Sequence, residues 1–172
     1  LVFALDWSGS MSREMLDTIK QLYNLIWFCT KLQIPFEVYA FTQCFPNVNE
    51  ETGEMETSYE PKDGLFVVDR NFSLMNLFTS KVRGRKLDDQ LKNLFTIVGS
   101  FSNYEAQKVV PLGMGLSGTP LNESIVALHK IIPQFRKENN VEKVNCVILT
   151  DGEAYPLHYH NEVHSCLLYT SD

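Results

Sequence analysis

The chain has 172 residues, 44% of them hydrophobic and 21% charged, with 15 basic against 21 acidic side chains and a formal net charge of -6. That length fits one domain of roughly 100–200 residues with a substantial core, and the composition is globular rather than disordered or collagen-like. The acid excess argues against a nucleic-acid surface, which rests on lysine and arginine, and no apolar run approaches the ~20 residues of a membrane-spanning helix.

Residues 1–5 (Leu-Val-Phe-Ala-Leu) form a short continuous apolar run ending in Asp6, the pattern of a strand buried on both faces of a parallel sheet. The run begins at the first residue, so native sequence is expected upstream, and the lack of a signal peptide carries no information. Ser8-Gly9-Ser10 predicts a turn. From Ser12, a candidate N-cap, Met15, Ile19, Leu22, Ile26, Cys29 and Leu32 recur at helical spacing. Residues 34–41 predict a second strand, with Pro35 at its start where no ladder donor is needed.

Residues 45–64 are polar and acidic and predict a solvated loop, followed by a short edge strand at 65–68. Residues 74–101 predict a helix in two pieces broken near Gly84, and 102–118 a Gly- and Ser-rich loop. Pro120 suits a first helical turn, and Leu121, Ile125, Leu128, Ile132 and Phe135 mark one apolar face behind it. Residues 144–150 predict another buried strand, ending in Asp151-Gly152. The order strand–helix–strand, insertion, helix–strand predicts an α/β fold with a doubly wound, mostly parallel sheet. Ligands of such sheets bind at the carboxyl ends of the strands, where Asp6 and Asp151 both fall.

The cysteines, Cys29, Cys44, Cys146 and Cys166, form no C-x-x-C pair, which argues for free thiols in a reducing compartment rather than a disulfide framework or zinc ribbon. Residues 166–172 resemble the translation of a sequencing adaptor and are set apart from the domain, placed at 1–165 with an insertion at about 45–115.

The chemistry concentrates in hard oxygen donors. Asp6, Ser8 and Ser10 lie within one turn after a strand, Thr119 precedes a helix, and Asp151 follows another strand. Two carboxylates and three hydroxyls suit Mg²⁺ (or Mn²⁺), which takes oxygen ligands and retains water. Asp6-Trp7-Ser8-Gly9-Ser10 resembles the D-x-S-x-S motif of von Willebrand factor A domains. Thr119 in Ser117-Gly118-Thr119-Pro120 and Asp151 in Thr150-Asp151-Gly152-Glu153 are similar to that family's other metal-site positions, in the same order.

The resemblance implies a metal-ion-dependent adhesion site formed by Asp6, Ser8, Ser10, Thr119 and Asp151. In the family the hydroxyls ligate the ion directly, the aspartates often do so through water, and a partner's carboxylate completes the shell. It covers residues 1–153 apart from the insertion, and it places the family's closing strands and helices beyond Ser165. The spellings Asp6-Trp7-Ser8-Gly9-Ser10-Met11 and Thr150-Asp151-Gly152-Glu153 further resemble the cobaltochelatase-type subunits that partner an AAA+ ATPase, a type also found in tailed phages. That implies a cytoplasmic, non-catalytic accessory subunit whose partner is the ATPase or its substrate-bearing subunit; for a phage protein the setting is the host cytoplasm. The rival classes are a metal-dependent hydrolase or phosphoryl-transfer enzyme and an extracellular adhesion module. The first lacks a placed general base or nucleophile, and the free cysteines disfavour the second.

Other signals carry less. Gly113-Met114-Gly115-Leu116-Ser117-Gly118 matches G-x-G-x-x-G, but Glu138, at the distance of a ribose-binding acid, falls before the next strand rather than at its end. A loop that delivers Thr119 explains the glycines more simply. His158, His160 and His164 with Glu162 have spacings that suit Zn²⁺, against an exposed loop as the plain alternative; His129 belongs to a helix surface. Asp6-Trp7-Ser8 lacks the second acid, two residues on, of aspartyl phosphatases, and no G-x-S-x-G elbow occurs. Lys81, Arg83, Arg85 and Lys86 read as a solvated flank or a docking patch for an acidic surface.

Overall fold

A computed structural model describes residues 1–43, 66–67, 72–101, 110–111, 113–152, 154 and 158–159. Strand β1 (Val2–Asp6) is buried at all five positions, as its unbroken apolar pattern predicts. It is buried because it is central: β2 (Glu37–Gln43) and β5 (Cys146–Leu149) flank it, and both run parallel to it. Strand β4 (Phe72–Thr79) adds antiparallel to the outer edge of β2, giving the order β4-β2-β1-β5. A separate two-stranded ladder pairs β3 (Phe66–Val67) with β6 (His158–Tyr159).

Alternation along β1 divides the core. Phe3, Leu5 and then Trp7 point to a cluster with helix α1 (Met15–Lys31) and helix α2 (Arg85–Ser100). Val2 and Ala4 point the other way, to Phe41 and helix α3 (Leu121–Glu138). The chain leaves β1 through α1 toward β2 on one side and reaches β5 through α3 on the other. The sheet is therefore mixed but mostly parallel, and the carboxyl ends of β1 and β5 lie side by side.

Helix α1 buries Met15, Ile19, Leu22, Ile26 and Cys29 of the predicted stripe, whereas Leu32, its last member, lies just past the helix and is 58% exposed. Its start differs from expectation. Ser12 is not an N-cap: residues Ser10–Ser12 form a 3₁₀ turn, Glu14 precedes the helix, and no side chain caps it. The turn runs straight into α1, with Ser12 N–H bonded to the Gly9 carbonyl and Glu14 N–H to that of Met11. No extended residue is left from which a hydroxyl folds back on the first turn.

The predicted helix at 74–101 is half right. Gly84, at φ 60, breaks the chain where expected, a backbone state that glycine adopts without strain, and α2 follows it. The segment before it is strand β4 instead. Its short apolar run fits either periodicity, and the open edge of β2 supplied backbone partners from Gln43↔Phe72 to Glu37↔Thr79. In α3, Leu128 and Phe135 are buried, but Ile125 is 49% exposed. Ser124, on the same stripe as Leu128 and Phe135, occupies the interior position instead. Strand β5 is only half-buried, because among the described residues it forms an edge. The predicted loop at 45–64, Cys44 and Cys166 lie outside the described residues.

Candidate functional site

Asp6 ends β1 on the same face as Val2 and Ala4, the face that α3 covers. Thr119 stands just before α3 on that face. Trp7, one residue on, turns to the opposite face, where it is fully buried. Its indole N–H donates to the Met114 carbonyl at 2.8 Å, and its ring meets Phe101 edge-on with centroids 5.7 Å apart. Its backbone N–H donates to the Phe41 carbonyl. Two further bonds tie the turn after β1 to the segment leading to α3: Gly9 N–H to the Ser117 carbonyl at 2.8 Å, and Ser117 N–H to the Trp7 carbonyl at 3.3 Å. The glycine-rich stretch is thus packed against the turn through Met114 and the Ser8–Ser117 bridge and delivers Thr119. Glu138, the acid weighed for a nucleotide, pairs with Lys81 at 2.6 Å at the far end of α3.

The five candidate oxygen-bearing side chains meet at the carboxyl ends of β1 and β5. Ser10 donates to Asp151 Oδ1 at 2.9 Å; its single proton being spent there, it accepts from Ser8, whose Oγ is 3.0 Å away. A β-carbon at Gly152 would stand 3.5 Å from Thr119 Oγ1 and 3.9 Å from Asp6 Oδ2, so Asp6 and Thr119 converge on the backbone of residue 152. Asp6, Ser8 and Thr119 are buried, whereas Ser10 and Asp151 are exposed. The cluster therefore has a buried floor and an open rim.

The floor is electrostatically unfinished. Asp6 is 0% exposed, and among the described residues its Oδ1 has no hydrogen-bond partner. Its Oδ2 accepts from Thr150 Oγ1 at 2.6 Å. Burial pushes the carboxyl above the usual aspartate range, the bond from Thr150 and the nearby Ser8 hydroxyl and backbone N–H oppose this, and the charge of Asp151 adds to it. The ion pairs seen among the described residues, Lys20–Asp17 and Lys81–Glu138, lie elsewhere. A buried carboxylate beside a second one, with a bare oxygen and no basic partner among the described residues, is costly unless a cation balances it. Among the described residues no three His, Cys, Asp or Glu side chains gather at one place; this cluster has two carboxylates and is otherwise built of hydroxyls.

Thr150 escaped the sequence reading, although a hydroxyl next to Asp151 at a strand end was its signal. Trp7 was passed over as the variable position of its motif. Of the other candidates, His158 lies in β6 opposite Val67, while His160, His164 and Glu162 fall outside the described residues. His129 is exposed, as are Lys81, Arg83, Arg85 and Lys86. Cys29 and Cys146 are free thiols held above their ordinary range by burial. No described helix is long and apolar enough to cross a membrane. The chain matches no protein-family model, no curated protein and no solved structure.

Proposed function

We propose that this chain is a divalent-cation-dependent protein-binding module of the von Willebrand factor A type, with a doubly wound sheet and no reaction of its own. The single observation that carries the proposal is Asp6, fully buried with one bare carboxylate oxygen, inside a cluster of three hydroxyls and a second carboxylate. Hard oxygen donors without imidazole or thiolate favour Mg²⁺ or Mn²⁺ over zinc. Asp6, Ser8, Ser10, Thr119 and Asp151 are the residues that would hold the ion. When bound, it supplies a positive charge with an exchangeable water position.

Ser10 and Asp151, on the exposed rim, leave the cluster open to a glutamate or aspartate from a partner. Two features support this choice: the order of the motifs along the chain, and the place of Asp6 and Asp151 beside parallel strands at their ligand-binding end. The spelling of the two aspartate motifs supports an AAA+ ATPase, or its substrate-bearing subunit, as the partner, and hence a cytoplasmic setting.

Calorimetric titration with Mg²⁺ and Mn²⁺ tests the site. One site is expected, lost in Asp6→Ala and weakened in Asp151→Ala; full affinity in both variants sinks the proposal. For the partner, EDTA should release a co-purified AAA+ ATPase and Mg²⁺ should restore it, because each component strengthens the other's binding by the same factor. Retention indifferent to EDTA would move recognition away from the cluster.

A further inference from the structure

Thr150 is the first residue beyond β5, and it bonds to a side chain 144 positions away. Its hydroxyl has one proton and two lone pairs. The proton goes to Asp6 Oδ2 at 2.6 Å, in the short range of a hydroxyl donating to a carboxylate. A lone pair accepts the Gly152 N–H at 3.2 Å. The remaining contact, 3.5 Å to the Gly152 carbonyl, has no proton left to fill it.

These two bonds act on both halves of the cluster. The first pins the plane of the Asp6 carboxylate, with one oxygen facing Thr150 and the other open. Without it the carboxylate turns about a soft terminal torsion, and its open lone pairs lose their fixed direction. The second closes the turn 150–152 around Asp151 and holds the backbone of Gly152 against Thr119 and Asp6. The end of β1 and the turn after β5 are therefore joined through one hydroxyl, with Thr119 beside the same turn. The β-branch of threonine adds stiffness at χ1 that serine lacks.

We propose that Thr150 is the positioning residue of the site: it orients Asp6 and the Asp151 turn for a divalent cation without itself ligating it. This rests on the cation-binding reading of the cluster. Thr150 is exposed, so Thr150→Val keeps the shape and removes the hydroxyl at a position where the fold tolerates it. The full-length protein is titrated with Mn²⁺ by calorimetry for wild type, Thr150→Val, Thr150→Ser, Asp6→Ala and Asp151→Ala, with thermal melting in EDTA as the check on folding. Loss of an outer hydrogen-bond partner typically weakens a metal site by about 10- to 100-fold, which is the expected effect of Thr150→Val; Thr150→Ser should restore affinity close to wild type.

If Thr150→Val binds like wild type while Asp6→Ala and Asp151→Ala do not, the positioning role is overturned and the cation site stands. If serine fails to rescue, the hydroxyl is not the operative group and the inference falls. If wild type binds no Mn²⁺, the cation reading itself fails. In that event a crystal structure of metal-free Thr150→Val still decides the orienting role: a turned or doubled Asp6 carboxylate upholds it, and a single unchanged orientation overturns it.

Discussion

Replacing Asp6 by asparagine removes the charge from the most deeply buried oxygen pair of the cluster while keeping its size. In the metal-free protein this substitution should stabilise the fold. The carboxylate is fully buried, has one hydroxyl bond on Oδ2 and none on Oδ1, and sits beside Asp151. Burying such an ion costs several kcal/mol. Asparagine keeps an acceptor for Thr150 and leaves a neutral amide at the bare position, an unmade hydrogen bond worth about 1–3 kcal/mol. The difference favours the variant by about 1–3 kcal/mol. For a chain of this length that is a rise in Tm of about 2–12 °C.

The assay is thermal melting by circular dichroism in EDTA and again with excess Mn²⁺. Asparagine should melt higher in EDTA, whereas Mn²⁺ should raise wild type and leave the variant unmoved, so that the order reverses. The pH dependence has a definite sign. Because the folded Asp6 carboxyl lies above its ordinary value of 3.8, its penalty is full above the folded value. The advantage of asparagine in EDTA therefore shrinks as pH falls through the folded value and is gone below 3.8. A variant that melts below wild type in EDTA at neutral pH, or an advantage that grows with acid, would refute the account of Asp6 as an unbalanced charge.

Three further outcomes are expected. Thr119→Ala should weaken Mn²⁺ binding yet cost the fold less than about 1 kcal/mol, because Pro120 precedes α3 and no side chain caps the helix; chemical denaturation in EDTA measures the second part. Gly152→Ala should fold normally, since its β-carbon would meet Thr119 and Asp6 only at ordinary contact distances of 3.5 Å and 3.9 Å, and should lower Mn²⁺ affinity in calorimetry by crowding those two side chains. Trp7→Phe should lose about 1–3 kcal/mol in urea melts, since the Met114 carbonyl is left without the indole donor.

Much of this molecule is legible along the chain because the relevant physics is local. An apolar run with no polar alternation means a strand covered on both faces, and β1 is that strand. Apolar residues three and four apart mean a helix with one buried side, and the α1 stripe follows that spacing. A carboxylate at or just beyond the end of each of two parallel strands places both acids at one end of the sheet, whatever else the fold does.

Tertiary structure decided what local pattern leaves open. Residues 72–79 became a strand because β2 had a free edge, a fact about a neighbour rather than about their own periodicity. Ile125 yielded its place to Ser124 because the rotation of α3 about its axis is set by what it packs against. Ser12 lost its capping role because the turn before it had already entered helical geometry. At the cluster, residue types and order were readable, but the division of labour was not. That one Asp6 oxygen is bare while the other is held by Thr150 depends on a hydrogen bond spanning 144 positions. A bond of that kind exists only once β1 and β5 lie side by side, so no pattern within either segment encodes it.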